Sequence, residues 1–186
     1  LLAYCRLRAV GRLAKPGLPP QEKLHLSATV HLQAEPVAAP APAPVAWEEA
    51  DGIDREKIYD VFFHGPAYQV LEKVALAGDA AVGLMPLALP PNTQPQNVAA
   101  LMTPRLIELV FQTAGMWKIQ RNGGMALPLS IARVSAFRQP ADGTRLYAAI
   151  RARDNGDAFD GHVVDDAGNV YVTVEAYRTI DIPEGF

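Results

Sequence analysis

The stretch Thr103 to Trp117, T-P-R-L-I-E-L-V-F-Q-T-A-G-M-W, constrains the fold more than any other part of the chain. Thr103 and Pro104 read as a helix start, a side-chain cap followed by proline at the first helical position. From Leu106 to Trp117 apolar residues (Leu106, Ile107, Leu109, Val110, Phe111, Ala114, Met116, Trp117) fall on nearly every side of that helix. A helix apolar all round is wrapped by other structure rather than laid on a surface. Glu108 and Gln112 interrupt it four residues apart, so they share a face. A carboxylate is seldom buried without a partner or a purpose. Two readings therefore stand together here. The polar pair is held inside for chemistry, or Arg105 pairs with Glu108 and the three residues form a thin solvated stripe.

Length and composition bound the choices. With 186 residues, the chain is long enough for one well-filled domain, or one domain and a piece of another. A 49% hydrophobic and 20% charged composition is globular rather than disordered. The net charge of −3 argues against nucleic acid or an anionic membrane as partner. No apolar run approaches the roughly 20 residues that span a bilayer, and no secretory signal pattern opens the chain. The single Cys5 excludes an internal disulfide and a cysteine-based zinc site, and no metal or bound cofactor is expected. These features predict a cytoplasmic protein. Because Leu1 falls inside what reads as a strand, the chain is expected to be a piece of something longer.

Taken in order, residues 4–10 alternate as a strand, Lys15-Pro16-Gly17 breaks the pattern, and a second strand alternates Leu24, Leu26, Ala28, Val30 and Leu32 with His25, Ser27, Thr29 and His31. Nothing nearby completes a metal site for His25 and His31, so they read as a solvated face. Residues 35–47 are a proline–alanine spacer suited to extended polyproline geometry. Residues 1–34 are then the last strands of a preceding unit, since a lone strand pair is marginal in water, and residues 48–183 form the main domain.

After the spacer, Asp54 to Val61 reads as a short helix and His64-Gly65-Pro66 as a turn flanked by aromatic residues. Strands are expected at Val70–Leu76 and Ala80–Met85, joined at Gly78-Asp79. A proline-marked crossing leads into the long helix, which ends at Asn122-Gly123-Gly124. Leu127-Pro128-Leu129 enters a strand over Ile131–Phe137. Asn155-Gly156 signals a two-residue hairpin between the next two strands. The last strand lines one face with Val170, Val172, Val174 and Ala176, opposite Tyr171, Thr173, Glu175 and Tyr177. One long helix wrapped by a curved antiparallel sheet is an α+β, hot-dog arrangement.

Four stretches carry a family likeness. His64-Gly65-Pro66-Ala67-Tyr68-Gln69 resembles the Y-G-P-x-F-Q motif that opens the second hot-dog of polyketide-synthase dehydratase domains, and Pro104 to Gln112 resembles their H-P-x-L-L-D-x-x-F-Q helix. Leu127-Pro128 resembles the family's entry to the next strand, and the Asp165–Ala176 hairpin its closing one. The wording F-F-H-G-P-A-Y-Q is most similar to dehydratase-like domains of polyunsaturated-fatty-acid synthases.

The resemblance implies the second half of a double hot-dog that dehydrates a 3-hydroxyacyl thioester. The substrate rides on the phosphopantetheine arm of an acyl carrier protein, a partner alongside the preceding hot-dog half, neighbouring synthase domains and a second copy in a homodimer. It also implies Glu108 as the acid that protonates the departing hydroxyl and Gln112 as the residue orienting it. An apolar channel is expected to end at that pair, lined by Phe63, His64, Gly65, Pro66, Tyr68, Leu127 and Pro128. Two departures stand out: glutamate replaces the family's aspartate at 108, reaching about 1 Å further, and none of His25, His31, His64 and His162 begins the family's H-x-x-x-G-x-x-x-x-P base motif. His64 stands where the family has tyrosine, either lining the channel or serving as a turn residue, and His162 reads as a surface-strand residue. A silent dehydratase-like module for dimerisation or carrier docking, and a hot-dog thioesterase, are the competing functions.

Overall fold

The computed structural model describes residues 1–11, 20–35, 37–45, 47, 52–96, 100 and 102–181. They fall into two compact units, Leu1–Val37 and Ala38–Phe186. In the first, β1 (Leu2–Gly11) pairs antiparallel with β2 (Gln21–His31), with a register shift between Leu7 and Arg8. Nearly every residue of both strands is exposed, so neither face of the alternating pattern is covered within this unit. The Lys15-Pro16-Gly17 turn lies outside the described residues.

The second unit begins with the spacer, whose described residues have neither helix nor strand, as its proline content requires. It docks on the domain: Ala43 donates its backbone N–H to the Gly168 carbonyl at 2.9 Å, and the Trp47 ring lies 5.8 Å from that of Tyr147. There follow β3 (Ile53–Asp54), α1 (Arg55–Tyr59), a 3₁₀ turn at Pro66–Tyr68, β4 (Lys73–Ala77), β5 (Ala80–Leu84) and α2 (Pro104–Asn122). After the helix come β6 (Ala126–Ser130), β7 (Arg133–Ala136), β8 (Leu146–Arg153), β9 (Ala158–Asp165) and β10 (Val170–Asp181). The described strands form one antiparallel sheet in the order β3-β4-β5-β8-β9-β10-β6, with β7 also paired to β10. No helix among the described residues is long and apolar enough to cross a membrane.

Helix α2 lies across the central strands β5, β8, β9 and β10 of this sheet, where two glycines make room for it. A Cβ on Gly83 of β5 would overlap Thr113 Oγ1 and lie 2.5 Å from Leu71 Cδ2, and one on Gly161 of β9 would lie 2.6 Å from Val110 Cγ1. Leu109, Val110, Ala114, Met116 and Trp117 are consequently buried together with Phe159, Val163 and Val172. Lys118 also points inward, its ammonium 2.7 Å from Asp181 Oδ1 and 3.1 Å from Thr179 Oγ1, which ties the end of β10 to the helix. A second, smaller cluster sits on the sheet's other face, where Leu84, Tyr147, Val164 and Val170 form a cross-strand row beside Val45 and Trp47. Gly83→Ala should cost about 1–3 kcal/mol by overpacking, read as a lower urea midpoint. An unchanged midpoint would mean that the helix does not need this close approach.

Several local expectations are corrected. Thr103 does not cap through its side chain: its φ of 45° is left-handed and no side-chain cap bond forms. Its carbonyl, not its hydroxyl, meets the first turn, accepting from Leu106 N at 2.9 Å. The strand expected at Ile131–Phe137 is the shorter β7 (Arg133–Ala136), and the Leu127-Pro128-Leu129 entry before it is a strand of its own, β6. The β8–β9 connection is not a two-residue hairpin, because β8 ends at Arg153 and β9 starts at Ala158, with Asp154, Asn155 and Gly156 all at positive φ between them. The face pattern of β10 breaks twice, with register shifts between Val170 and Val172 and between Val174 and Tyr177. Ala176 takes a φ of 47° and gives its N–H to Asp160 Oδ1 at 2.8 Å. That one-residue bulge turns Tyr177 into the core, on the helix side of the sheet.

Candidate functional site

The site forms where the short α1, the loop after it and the first three turns of α2 converge. Gln112 is 2% exposed, so a long amide has been taken fully out of water. Its Nε2 donates to the Tyr68 carbonyl at 2.8 Å and to Glu108 Oε1 at 3.0 Å, while its Oε1 accepts from the Tyr59 hydroxyl at 2.7 Å. The Tyr59 oxygen in turn accepts from Leu71 N–H at 2.8 Å. Both ends of this chain are backbone groups with no choice of role: the Leu71 amide can only donate and the Tyr68 carbonyl can only accept. The polarity of every bond between them follows. Gln112 must present N–H to Glu108, so Oε1 of Glu108 is an acceptor.

A second side-chain nitrogen reaches that same oxygen. His64 Nε2 lies 3.1 Å from Glu108 Oε1, while His64 Nδ1 is buried without a hydrogen-bond partner among the described residues. The imidazole is stacked on Phe63 (centroids 5.1 Å apart, 9° between planes) and meets Phe62 edge-on at 5.4 Å. Its main chain is held as well. Gln69 Nε2 donates to the His64 carbonyl at 3.2 Å, and Arg55 grips Gln69 through both its carbonyl and its side-chain oxygen at 2.9 Å. Glu108, where the resembled motif has aspartate, and His64, where it has tyrosine, are therefore in direct contact.

Burial raises the pKa of Glu108 above the ordinary carboxylate value, with the Gln112 and His64 contacts pulling the other way. The sign for stability follows from that net rise: the protonated form is favoured by folding, and this contribution is lost as pH rises through the folded-state pKa. Burial likewise pushes Tyr59 up to about 12. Tyr177 is raised by burial and, secondarily, by the negative charge of Glu108. The Tyr177 ring stacks on Phe111 at 4.3 Å. A carboxyl group whose protonated form burial favours, beside neutral phenols and an amide, is equipped to deliver a proton.

The solvated-stripe reading of α2 fails. Arg105 turns away from Glu108, its Nε donating to the Ala67 carbonyl at 3.0 Å and a terminal nitrogen to the Pro90 carbonyl. Of the residues expected to line the site, His64 meets Glu108 and the Tyr68 carbonyl meets Gln112, while Phe63 is exposed and reaches the pair only through its stack on His64. Gly65 and Pro66 shape the 3₁₀ turn, the Gly65 carbonyl accepting from Tyr68 N at 2.9 Å. Leu127 and Pro128 sit on β6, paired with Ile180 and Thr179 of β10, and none of the described contacts of Glu108 or Gln112 reaches them. His162 lies half-buried on the β9 face away from α2, its pKa lowered by burial.

Two site residues escape sequence reasoning. Tyr59 reaches Gln112 from 53 positions away, and nothing in its short helix marks it. Tyr177 is assigned to the wrong face by simple alternation, because the bulge at Ala176 uses an alanine rather than a glycine.

Comparison with known proteins agrees with this architecture. The family model described as the polyketide synthase dehydratase N-terminal domain matches residues 38–185. Among solved structures, the dehydratase from the CurF module of curacin polyketide synthase superposes with a TM-score of 0.70 at 19% identity, covering 97% of this chain and 65% of that one. The CurK dehydratase of the same synthase gives 0.66 at 19% identity, covering 88% and 60%. The erythromycin dehydratase gives 0.62 at 21%, covering 95% and 62%. The chain thus spans somewhat under two thirds of the length of each of these domains. No curated protein matches it. The solved dehydratases share its hot-dog helix and sheet, and with the family match running from residue 38 to residue 185, the chain belongs to the polyketide-synthase dehydratase family.

Proposed function

We propose that this chain is the acid-bearing, second hot-dog of a 3-hydroxyacyl-[acyl carrier protein] dehydratase, working in the cytoplasm within a synthase of the polyunsaturated-fatty-acid type. The observation that carries the proposal is Glu108, a largely buried carboxyl on α2, held through one oxygen by Gln112 and His64 and shifted by burial toward its protonated form. In the reaction, a base takes the proton α to the thioester carbonyl, and the freed electron pair forms the Cα–Cβ double bond. The Cβ–O bond breaks, and the hydroxyl leaves as water with the proton of Glu108. Two CurK dehydratase structures described as inactive mutants, one with a histidine changed to phenylalanine and one with an aspartate changed to asparagine, support a paired histidine and carboxyl group in such domains.

His64 is poorly placed to be that base. Base and acid must flank the H–Cα–Cβ–O unit with contacts of about 3 Å on each side. His64 and Glu108 are instead bonded to each other at 3.1 Å, and the other ring nitrogen is buried. The base is therefore assigned to the partner hot-dog, with the substrate presented on the phosphopantetheine arm of an acyl carrier protein and neighbouring synthase domains and a second copy as further partners.

The test is hydration of an enoyl carrier-protein thioester, followed by mass spectrometry, on the parent protein and on this 186-residue chain. The parent should add water, and the chain alone should stay at background. A parent without turnover would make the domain a silent docking or dimerisation module. Release of free acid would make it a thioesterase. Turnover by the chain alone, abolished by His64→Ala, would make His64 the base.

A further inference from the structure

Two side-chain nitrogens converge on one oxygen of Glu108. Gln112 Nε2 stands 3.0 Å and His64 Nε2 3.1 Å from Oε1, whereas Oε2 takes no hydrogen bond among the described residues. We propose that His64 is a positioning residue: together with Gln112 it holds Glu108 by Oε1 and leaves Oε2 as the oxygen that carries and delivers the proton. This rests on the reading of Glu108 as the general acid.

The polarity argument extends to both donors. Gln112 is locked as a donor by the Leu71–Tyr59 relay and by the Tyr68 carbonyl. For His64 the buried, unpartnered Nδ1 decides the tautomer of the neutral ring. With its proton on Nδ1, the ring would bury an N–H that has no acceptor and turn a lone pair toward Oε1, losing a hydrogen bond and gaining a repulsion. With the proton on Nε2, it donates to Glu108. A carboxylic acid accepts best at its carbonyl oxygen, so two donors at Oε1 place the acidic hydrogen on Oε2.

The arrangement also answers the length of the side chain. Glutamate has one more rotatable bond than aspartate, and an acid free to swing loses the contact of about 3 Å that proton transfer requires. Gln112 sits on the same helix as Glu108 and constrains it from one direction only. His64 comes from the loop after α1, with its ring fixed between Phe62 and Phe63 and its backbone fixed by Gln69. Among the described residues, the remaining titratable groups facing Glu108 are the hydroxyls of Tyr59 on α1 and Tyr177 on β10, both raised above the ordinary tyrosine value and so uncharged at neutral pH.

The experiment compares His64→Gln with His64→Asn. A glutamine amide can reach the place of Nε2 and donate to Glu108, whereas an asparagine amide is too short. Glu108 is followed by ¹³C-carboxyl NMR across a pH titration of this chain, and the parent enzyme is assayed for the pH dependence of kcat/KM. In His64→Asn the titration of Glu108 should move upward, with about a tenfold higher ratio of protonated to ionised carboxyl at a fixed pH, the effect of one lost hydrogen bond to a charged group. His64→Gln should restore most of it, and the alkaline limb of the parent's profile should move in the same direction as the NMR curve. His64→Phe, which keeps the aromatic stack, should behave like His64→Asn. A Glu108 titration that is the same in folded His64→Asn and His64→Gln overturns the proposal. So does a shift in both that glutamine does not reverse, since that marks His64 as a packing residue only. Failure of the acid reading itself shows up separately, as a parent enzyme indifferent to loss of the Glu108 carboxyl while the NMR shifts still appear.

Discussion

Glu108→Gln should lower the turnover of the parent dehydratase by a hundredfold or more, the loss expected for one positioned general acid. The substitution is nearly isosteric, so the amide oxygen can still accept from His64 and Gln112 at the place of Oε1. What disappears is the labile proton, and with it the alkaline limb of the pH profile. The same change should leave the isolated chain at its background rate. It should not destabilise the fold above the titration of Glu108, because the wild-type carboxylate is the form that burial disfavours. Steady-state kinetics of carrier-bound substrate checks the first statement and urea denaturation at several pH values the second. A loss of only a few-fold in the parent would remove Glu108 from the chemistry.

Phe159→Ala should cost about 3–5 kcal/mol of folding stability, the range for emptying a fully buried aromatic site. Phe159 on β9 is completely buried. It meets Trp117 of α2 edge-on, with ring centroids 5.5 Å apart, and lies 6.3 Å from the ring of Tyr177. Helix, central strand and the post-bulge part of β10 therefore share this one ring, and no neighbour can fill the gap without leaving another. Against a typical total of about 5–15 kcal/mol for a domain, the variant should be close to its unfolding limit at moderate temperature. Chemical denaturation reads the loss directly. A cost under about 1 kcal/mol would mean that the aromatic cluster collapses freely, and that Tyr177 is not held against Phe111 by it.

The Glu108–Gln112 pair is legible in the sequence because helical spacing is a local property: residues four apart share a face whatever surrounds them. The burial of α2 is legible for a related reason, since a helix apolar on every side has no stable exposed orientation. Gly123 closing that helix at a φ of 72° belongs to the same class, as αL geometry favours glycine. Local rules fail wherever a residue breaks its own preference. Thr103 and Ala176 occupy positive φ although their side chains disfavour it, and tertiary packing outweighs a penalty of about 1 kcal/mol or more. Once Ala176 is bulged, strict alternation assigns Tyr177 to the wrong face.

Sequence alone thus determined the identity of the central helix, the polar pair within it, most of the strands and the motifs that tie the chain to its family. Each of these depends on the period of the backbone or on residues close together along it. Only the tertiary structure decided who surrounds the pair. Tyr59, His64 and Tyr68 lie 40 or more positions before Gln112 and Tyr177 lies far beyond it, and no local rule says which of them will meet a given carboxyl. Their meeting follows from how close α2 can approach the sheet over Gly83 and Gly161, and from the bulge that turns β10 at Ala176. The hydrogen-bond polarity at Glu108 was likewise beyond the sequence, because it is imposed by the backbone amide of Leu71 and the backbone carbonyl of Tyr68, groups every such residue carries and only the fold can aim.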